Sequence, residues 1–257
     1  MPRYFLEISY IGTAYNGWQI QENAPKTIQA EINRVLSTIL RQDIMITGSS
    51  RTDAGVHALQ NFAHFDLETE PAPMLVHKLN FMLSKDIAIR RLFRVSPQIN
   101  SRFAATGRSY AYHIHQRKDP FLNVTSCYYP YRPLDLEAMN DCCRIILEHR
   151  DFAAFSKRNT QVKTSLCTLS QATWEQDREE RLVFRVSANR FLRGMVRGLV
   201  GTMLRVGRGK LTRADFQRIL DSGTPHKTDF SAPANGLTLL EVRYNWPDIL
   251  WQEEESA

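Results

Sequence analysis

Asp43-Ile44-Met45-Ile46-Thr47-Gly48-Ser49-Ser50-Arg51-Thr52-Asp53-Ala54-Gly55-Val56-His57, continuing to Leu67, is the stretch that decides the fold. Asp43 to Gly48 reads as a strand. Leu59 to Leu67 reads as a second, because Leu59, Asn61, Ala63 and Phe65 alternate with Gln60, Phe62, His64 and Asp66. Arg51 to His57 is then a loop between sheet elements, with an arginine and a carboxylate two apart at a glycine turn. Such a turn can hold a reactive acid rigidly. Asp and Gly are also ordinary turn formers, and on spacing alone that reading of Asp53 is the simpler one.

Working outward, residues 3 to 10 alternate as a strand, and a helix at about 27 to 41 repeats Ile28, Ile32, Val35, Leu36 and Ile39 on one face. A helix near 72 to 83 and an apolar strand near 86 to 95 complete β-α-β-β-α-β. The order begins again at Arg108-Ser109-Tyr110-Ala111-Tyr112-His113-Ile114-His115. There a helix is expected from Asp135 to Glu148, strands near 166 to 175 and 181 to 188, helices near 191 to 206 and 212 to 221, and a strand at 237 to 245. The expected fold class is α/β (α+β): two ferredoxin-like halves, 1–105 and 106–257, whose sheets meet around a central cleft, with helices on the outer faces.

Placed on a helical wheel, Asn189 to Val206 separates two faces. Phe191, Leu192, Met195, Val196, Leu199 and Met203 form the apolar stripe, and Arg190, Arg193 and Arg197 lie opposite with Gly194, Gly198 and Gly201. Each glycine inside a helix costs about 1 kcal/mol relative to alanine. Close approach of another backbone, protein or RNA, would offset this, as would tight packing on a neighbouring element. Arg197, at the edge of the stripe, reads as a partly buried base that needs a carboxylate partner.

The chain has 257 residues, 43% of them hydrophobic, enough for a large core. No apolar run approaches the roughly 18 to 20 residues that span a bilayer, and Met1-Pro2-Arg3-Tyr4-Phe5 lacks the apolar region of a secretory signal, so a cytoplasmic protein is expected. Cys127, Cys142, Cys143 and Cys167 show no CxxC spacing, which argues against a disulfide framework or zinc site. No G-x-S-x-G elbow, Walker A run or HExxH is present, which argues against the commonest hydrolases. Net charge is +6, and the three glutamates of the last seven residues mask a body of +9. Its arginines and lysines cluster, most densely from Arg190 to Lys210, which suits a polyanion such as nucleic acid or simply a solvated face.

Six stretches in order resemble the TruA family of tRNA pseudouridine synthases over nearly the whole chain: Tyr10 to Gln19, Arg51 to His57, Arg102 to Thr106 with Tyr110-Ala111-Tyr112, Asp151 to Phe155, Phe191 to Arg197, and Ala232 to Leu237. The resemblance implies a continuous, mostly antiparallel sheet and a homodimer acting on the anticodon stem-loop of tRNA at positions 38, 39 and 40, with no metal or organic cofactor. It implies that Asp53 is the catalytic nucleophile and Arg197 the ion-pair partner that keeps it ionised. Arg51 would enter the RNA as the target nucleotide is extruded, Tyr110 would stack on the flipped uracil, and Leu237 would complete the apolar wall. Arg102, Lys157 and Arg158 would contact the tRNA backbone. Ser50 and Cys167 depart from the family pattern, standing where glycine and arginine are common. The alternative function is a non-catalytic tRNA-binding or RNA-chaperone protein, which would have no need of Asp53 paired with Arg197.

Overall fold

Alternation in the first strand and a 3.6-residue apolar period after it set the pattern that the computed structural model carries through residues 1–24, 26–131, 133–157, 164–178 and 180–252. In chain order these residues form β1 (Arg3–Tyr10), α1 (Ile28–Leu40), β2 (Thr47–Gly48), β3 (His57–Asp66), α2 (Leu75–Met82), β4 (Ile87–Val95), β5 (Gly107–His115), β6 (Cys127–Tyr128), α3 (Leu136–Glu148), β7 (Leu169–Gln176), β8 (Leu182–Ala188), α4 (Met195–Gly207), α5 (Arg213–Asp221), β9 (Leu237–Arg243) and α6 (Trp246–Ile249). The result is the expected mixed α/β architecture, a mostly antiparallel sheet of nine strands with six α-helices among the described residues. The chain divides into two units, Met1–Thr106 with the chain from Leu239 onward, and Gly107–Thr238.

In the first unit the strands run in the order β4-β1-β3-β9, with β2 on β3. β1 is antiparallel to both neighbours, Arg3 facing Asp66 on one side and Val95 on the other. Thr27 caps α1 by accepting from Ala30 N–H at 3.2 Å. Phe62 meets Tyr244 edge-on at 5.3 Å and Trp246 at 5.4 Å, so the residues after β9 fill the same aromatic core as β1 and β3. Only Thr47 and Gly48 of the expected strand at Asp43 to Gly48 pair with β3. The residues before them are captured by α1 instead: Asn33 Oδ1 accepts from Ile46 N–H at 3.0 Å, Ser37 Oγ from Ile44 N–H at 2.9 Å, and Gln29 donates to Ile46 O at 2.7 Å. Backbone groups satisfied by side chains have no need of a ladder.

In the second unit the order is β5-β8-β7, antiparallel throughout, with β6 parallel to β5. Asp135 caps α3, and Thr212 with Asp215 forms a reciprocal capping box at α5. The α4 helix begins later than its sequence suggests. Gly194 is its N-cap at φ 74°, a left-handed geometry that only glycine adopts without strain, so Phe191, Leu192 and Arg193 precede the helix. Gly198 and Gly201 are inside it, and a Cβ there would lie 2.9 Å from the Phe230 ring and 2.3 Å from the Asp229 carbonyl oxygen. The close approach that offsets their helical cost is therefore made within the protein, by the Phe230 side chain at Gly198 and by the Asp229 backbone at Gly201. Thr202 Oγ1 fastens it, donating to Gly198 O at 2.8 Å and accepting from Asp229 N–H at 3.1 Å.

His64 carries the clearest pH signature of the fold. Burial, and then the nearby Arg3 guanidinium, lower its pKa from 6.5 to about 4. Nδ1 lies 2.9 Å from Ser101 Oγ, and Arg3 is itself held by Asp66 at 2.7 and 2.8 Å. The folded-state pKa is depressed, so between about 6.5 and 4 the unfolded chain binds a proton that the native state refuses. This stability is fully present above pH 6.5 and is lost as pH falls toward 4. Thermal or urea unfolding should show about 2 kcal/mol less stability at pH 5 than at pH 7.5 from this group. His64→Asn should flatten that dependence, and an unchanged slope would remove His64 as its source.

Candidate active site

Asp53 sits half-buried on the loop between β2 and β3, held by a second segment, residues 10 to 18. Trp18 N–H donates to Thr52 O at 3.0 Å, and the Tyr10 hydroxyl meets Thr52 Oγ1 at 2.8 Å. After Asp53, Gly55 N–H donates to Tyr15 O at 3.3 Å, and Gly12 N–H donates to His57 Nδ1 at 3.0 Å. Val56 N–H closes the turn on Asp53 O at 3.1 Å. Gly17 has φ 92°, and a Cβ there would lie 2.7 Å from Thr52 O, so the two segments meet backbone to backbone. Fully buried Asn61 braces the approach, accepting from Ser49 Oγ at 2.8 Å and donating to Ser50 O at 3.1 Å. The carboxylate is thus presented from a loop clamped on both sides. Tyr10, Gly17 and Asn61 do this supporting work. The sequence had marked Tyr10 as a strand-face and motif residue, Gly17 only as part of that motif, and Asn61 only as a member of an alternating strand.

Arg51 and Arg102, both exposed, come together on one groove of about 290 Å³ in the same unit. In the second unit, Tyr110 is half-buried near the start of β5, its ring edge-on to Phe191 at 5.1 Å and 87°. Phe191 is therefore a support for Tyr110 and not a member of the helical stripe. Tyr112, two residues on, is fully buried and donates to Pro233 O at 2.8 Å. Burial pushes its phenol pKa far up, which makes it a structural hydroxyl. Arg197 is half-buried on α4, and its Nε donates to Ala232 O at 2.6 Å. Arg197 and Tyr112 thereby pin the segment that leads into Leu237, itself only 6% exposed at the first position of β9.

Lys157 N–H donates to Arg193 O at 3.0 Å, its stem passes Gly194, and Nζ lies 5.9 Å from the Phe230 ring. Arg158 lies outside the described residues. A larger groove of about 720 Å³, bordered by Arg205 from the Arg190 to Lys210 cluster and by Arg218 and Lys227, contains none of the residues given catalytic, substrate or RNA roles by the resemblance. Side chains at the two positions that depart from the family pattern are both buried: Ser50, and Cys167 with its thiol pushed up to about 11 by burial. Neither side chain reaches the surface. All four cysteines are buried and unbridged. Among the described residues no three His, Cys, Asp or Glu side chains are grouped to hold a metal ion, and no helix is long and apolar enough to cross a membrane.

With this geometry in place, the chain can be set beside known proteins. The family described as tRNA pseudouridine synthase matches residues 148–245. The tRNA pseudouridine synthase A of Bacteroides fragilis is 45% identical over 246 residues, covering 95% of this chain and 97% of the relative. That of Bacteroides thetaiotaomicron is 44% identical over 257 residues, covering 99% and 94%. A more distant relative of the same name, from Chlorobaculum tepidum, is 38% identical over 241 residues, covering 93% and 96%. Similarity of this extent along both chains leaves one conclusion: the chain belongs to the tRNA pseudouridine synthase family.

Proposed function

We propose that this protein isomerises uridine to pseudouridine at positions 38, 39 and 40 of the tRNA anticodon stem-loop. The observation that carries the reading is full-length similarity to proteins named tRNA pseudouridine synthase A, in a chain whose Asp53 stands on a loop clamped at both ends. In the reaction the N1 to C1′ bond breaks, the base turns, and C5 bonds to C1′. C5 gives up its proton and N1 gains one, so atoms and charge balance without an oxidant or a second substrate. Asp53 is the nucleophile that holds the detached fragment. Arg197 is its ionic partner, orienting the carboxylate for attack and balancing its charge.

The target base must leave its stack before any side chain reaches it, at a cost of a few kcal/mol. Arg51 occupies the space that the base vacates and pairs with phosphate. Tyr110, buttressed by Phe191, stacks on the extruded uracil, and Leu237 closes the pocket on its apolar side. Arg102, Lys157 and Arg158 hold the tRNA backbone, a salt-dependent contribution. The working enzyme is a cytoplasmic homodimer that uses no metal or organic cofactor.

Asp53→Asn keeps the shape of the loop and removes the nucleophile. Tritium release from tRNA labelled at uridine C5 should fall more than about a thousandfold while filter binding of tRNA changes less than about twofold. Retained turnover would remove Asp53 as the nucleophile, whereas a wild-type chain that binds tRNA and releases no tritium would be a tRNA-binding or chaperone protein. Arg51→Ala should lower kcat more than affinity, because its contact matures as the base leaves the stack. Equal losses in both would mark a plain phosphate contact. Sedimentation of the intact chain at micromolar concentration should give the mass of two copies, and a monomer would remove the dimer from the scheme.

A further inference from the structure

Phe103 keeps 79% of its surface in solvent, on a turn that has little freedom to hide it. Ser101, two residues earlier, is fully buried: its Oγ donates to Thr47 O at 2.8 Å and its carbonyl accepts from the Tyr244 hydroxyl at 2.6 Å. Asn100 Oδ1 accepts from Arg102 N–H at 2.9 Å and from Phe103 N–H at 3.3 Å, and Ala104 N–H donates to Asn100 O at 2.9 Å. The turn is therefore tied to the core at its second residue and aims the next two outward. A single exposed apolar side chain is ordinary, but a ring held on fixed backbone beside guanidinium groups is a ready stacking surface. Its neighbours name the kind of contact. The Arg102 guanidinium lies 5.8 Å from the Phe103 ring, and the groove of about 290 Å³ that both border is also lined by Arg51, Gln19, Gln29 and Asn100.

A flat aromatic face, two guanidinium groups and the Gln19 amide match the needs of one unpaired nucleotide: a stacking surface, phosphate partners and a group for a base edge, while the Gln29 and Asn100 amides are spent on backbone and hold the groove's walls. A protein partner for an exposed phenylalanine would instead call for apolar neighbours. We propose that this groove is a subsite for a nucleotide flanking the extruded uridine, its base stacked on Phe103 and its phosphate held by Arg102, with Arg51 at the groove's edge left for the extruded position. The proposal rests on the tRNA reading given above and adds to it a residue that positions the strand. Stacking of a flanking base is the same before and during the reaction, so it contributes to affinity and leaves the chemical step alone.

The test uses the full-length protein and an anticodon stem-loop RNA carrying 2-aminopurine at each unpaired loop position in turn. On binding to the wild-type chain, fluorescence should be quenched by stacking at one position. Phe103→Ala, at an exposed site that leaves the core intact, should abolish that quench and raise KM about 10- to 100-fold, with kcat within about twofold. Phe103→Trp should restore both. Unchanged KM and quenching in Phe103→Ala would overturn the subsite, and so would a change that Phe103→Trp fails to rescue. Weakened self-association of Phe103→Ala in sedimentation, with RNA affinity intact, would assign the ring to a protein contact and overturn it equally. A wild-type chain that releases no tritium from tRNA would sink the enzymatic reading itself, whereas an active wild-type with an indifferent Phe103→Ala sinks only the subsite.

Discussion

The backbone hydrogen bonds between residues 10 to 18 and the loop from Thr52 to His57 are the constraint on which the candidate site depends. A carboxylate on a free surface loop would sample many positions, and chemistry at one atom of a bound nucleotide requires one of them. Here the loop gives up its freedom to a segment about forty residues earlier in sequence. Trp18 and Tyr15 supply the partners to Thr52 and Gly55, and His57 is used as an acceptor for Gly12. A histidine so close to an acid invites a catalytic reading. Its Nδ1 is already committed to a backbone N–H, which places it in the clamp.

The second unit solves a similar problem with a helix. The Gly198 and Gly201 face of α4 admits the chain from Thr228 to Ala232, and Arg197 on the same helix fixes the end of that segment through Ala232 O. Two glycines weaken an isolated helix by about 2 kcal/mol, and the bonds through Thr202, Asp229 and Ala232 are the return on that cost. The arginine is left with its Nε engaged and its position on the helix defined.

How much could be read from the letters depended on the range of the interactions. Helices α1, α3 and α5 fall within a residue or two of their expected bounds, because an apolar period and a capping Thr or Asp are local signals. The strand expected at Asp43 was lost to Asn33, Ser37 and Gln29, whose capture of that backbone is a tertiary event. The start of α4 was placed too early because an apolar stripe continues through Phe191 and Leu192, whereas Gly194 is left-handed. In the candidate site, the turn alone favoured Asp53 as an ordinary turn former, and the roles proposed for it and for Arg51 came from the resemblance; Arg197 stood out at the edge of a stripe as a partly buried base, and it is half-buried. Tyr110 and Tyr112 alternate identically in sequence, and only the segment around Pro233, folded over one of them, tells them apart.

The boundary between the two units falls inside β9, after Thr238, and this sets the order in which the molecule can be completed. A chain leaving the ribosome presents β1, β3 and β4 first, yet the aromatic core on which they rest includes Tyr244 and Trp246, made about 150 residues after β4. Until then Phe5, Phe62 and Phe93 lack partners that cover them in the finished fold. The second unit, whose strands β5, β7 and β8 are all contiguous in synthesis with its helices, can close earlier. The half that bears Asp53 is therefore the last that can become native, and a nascent or prematurely ended chain holds Asp53 on an unfinished scaffold.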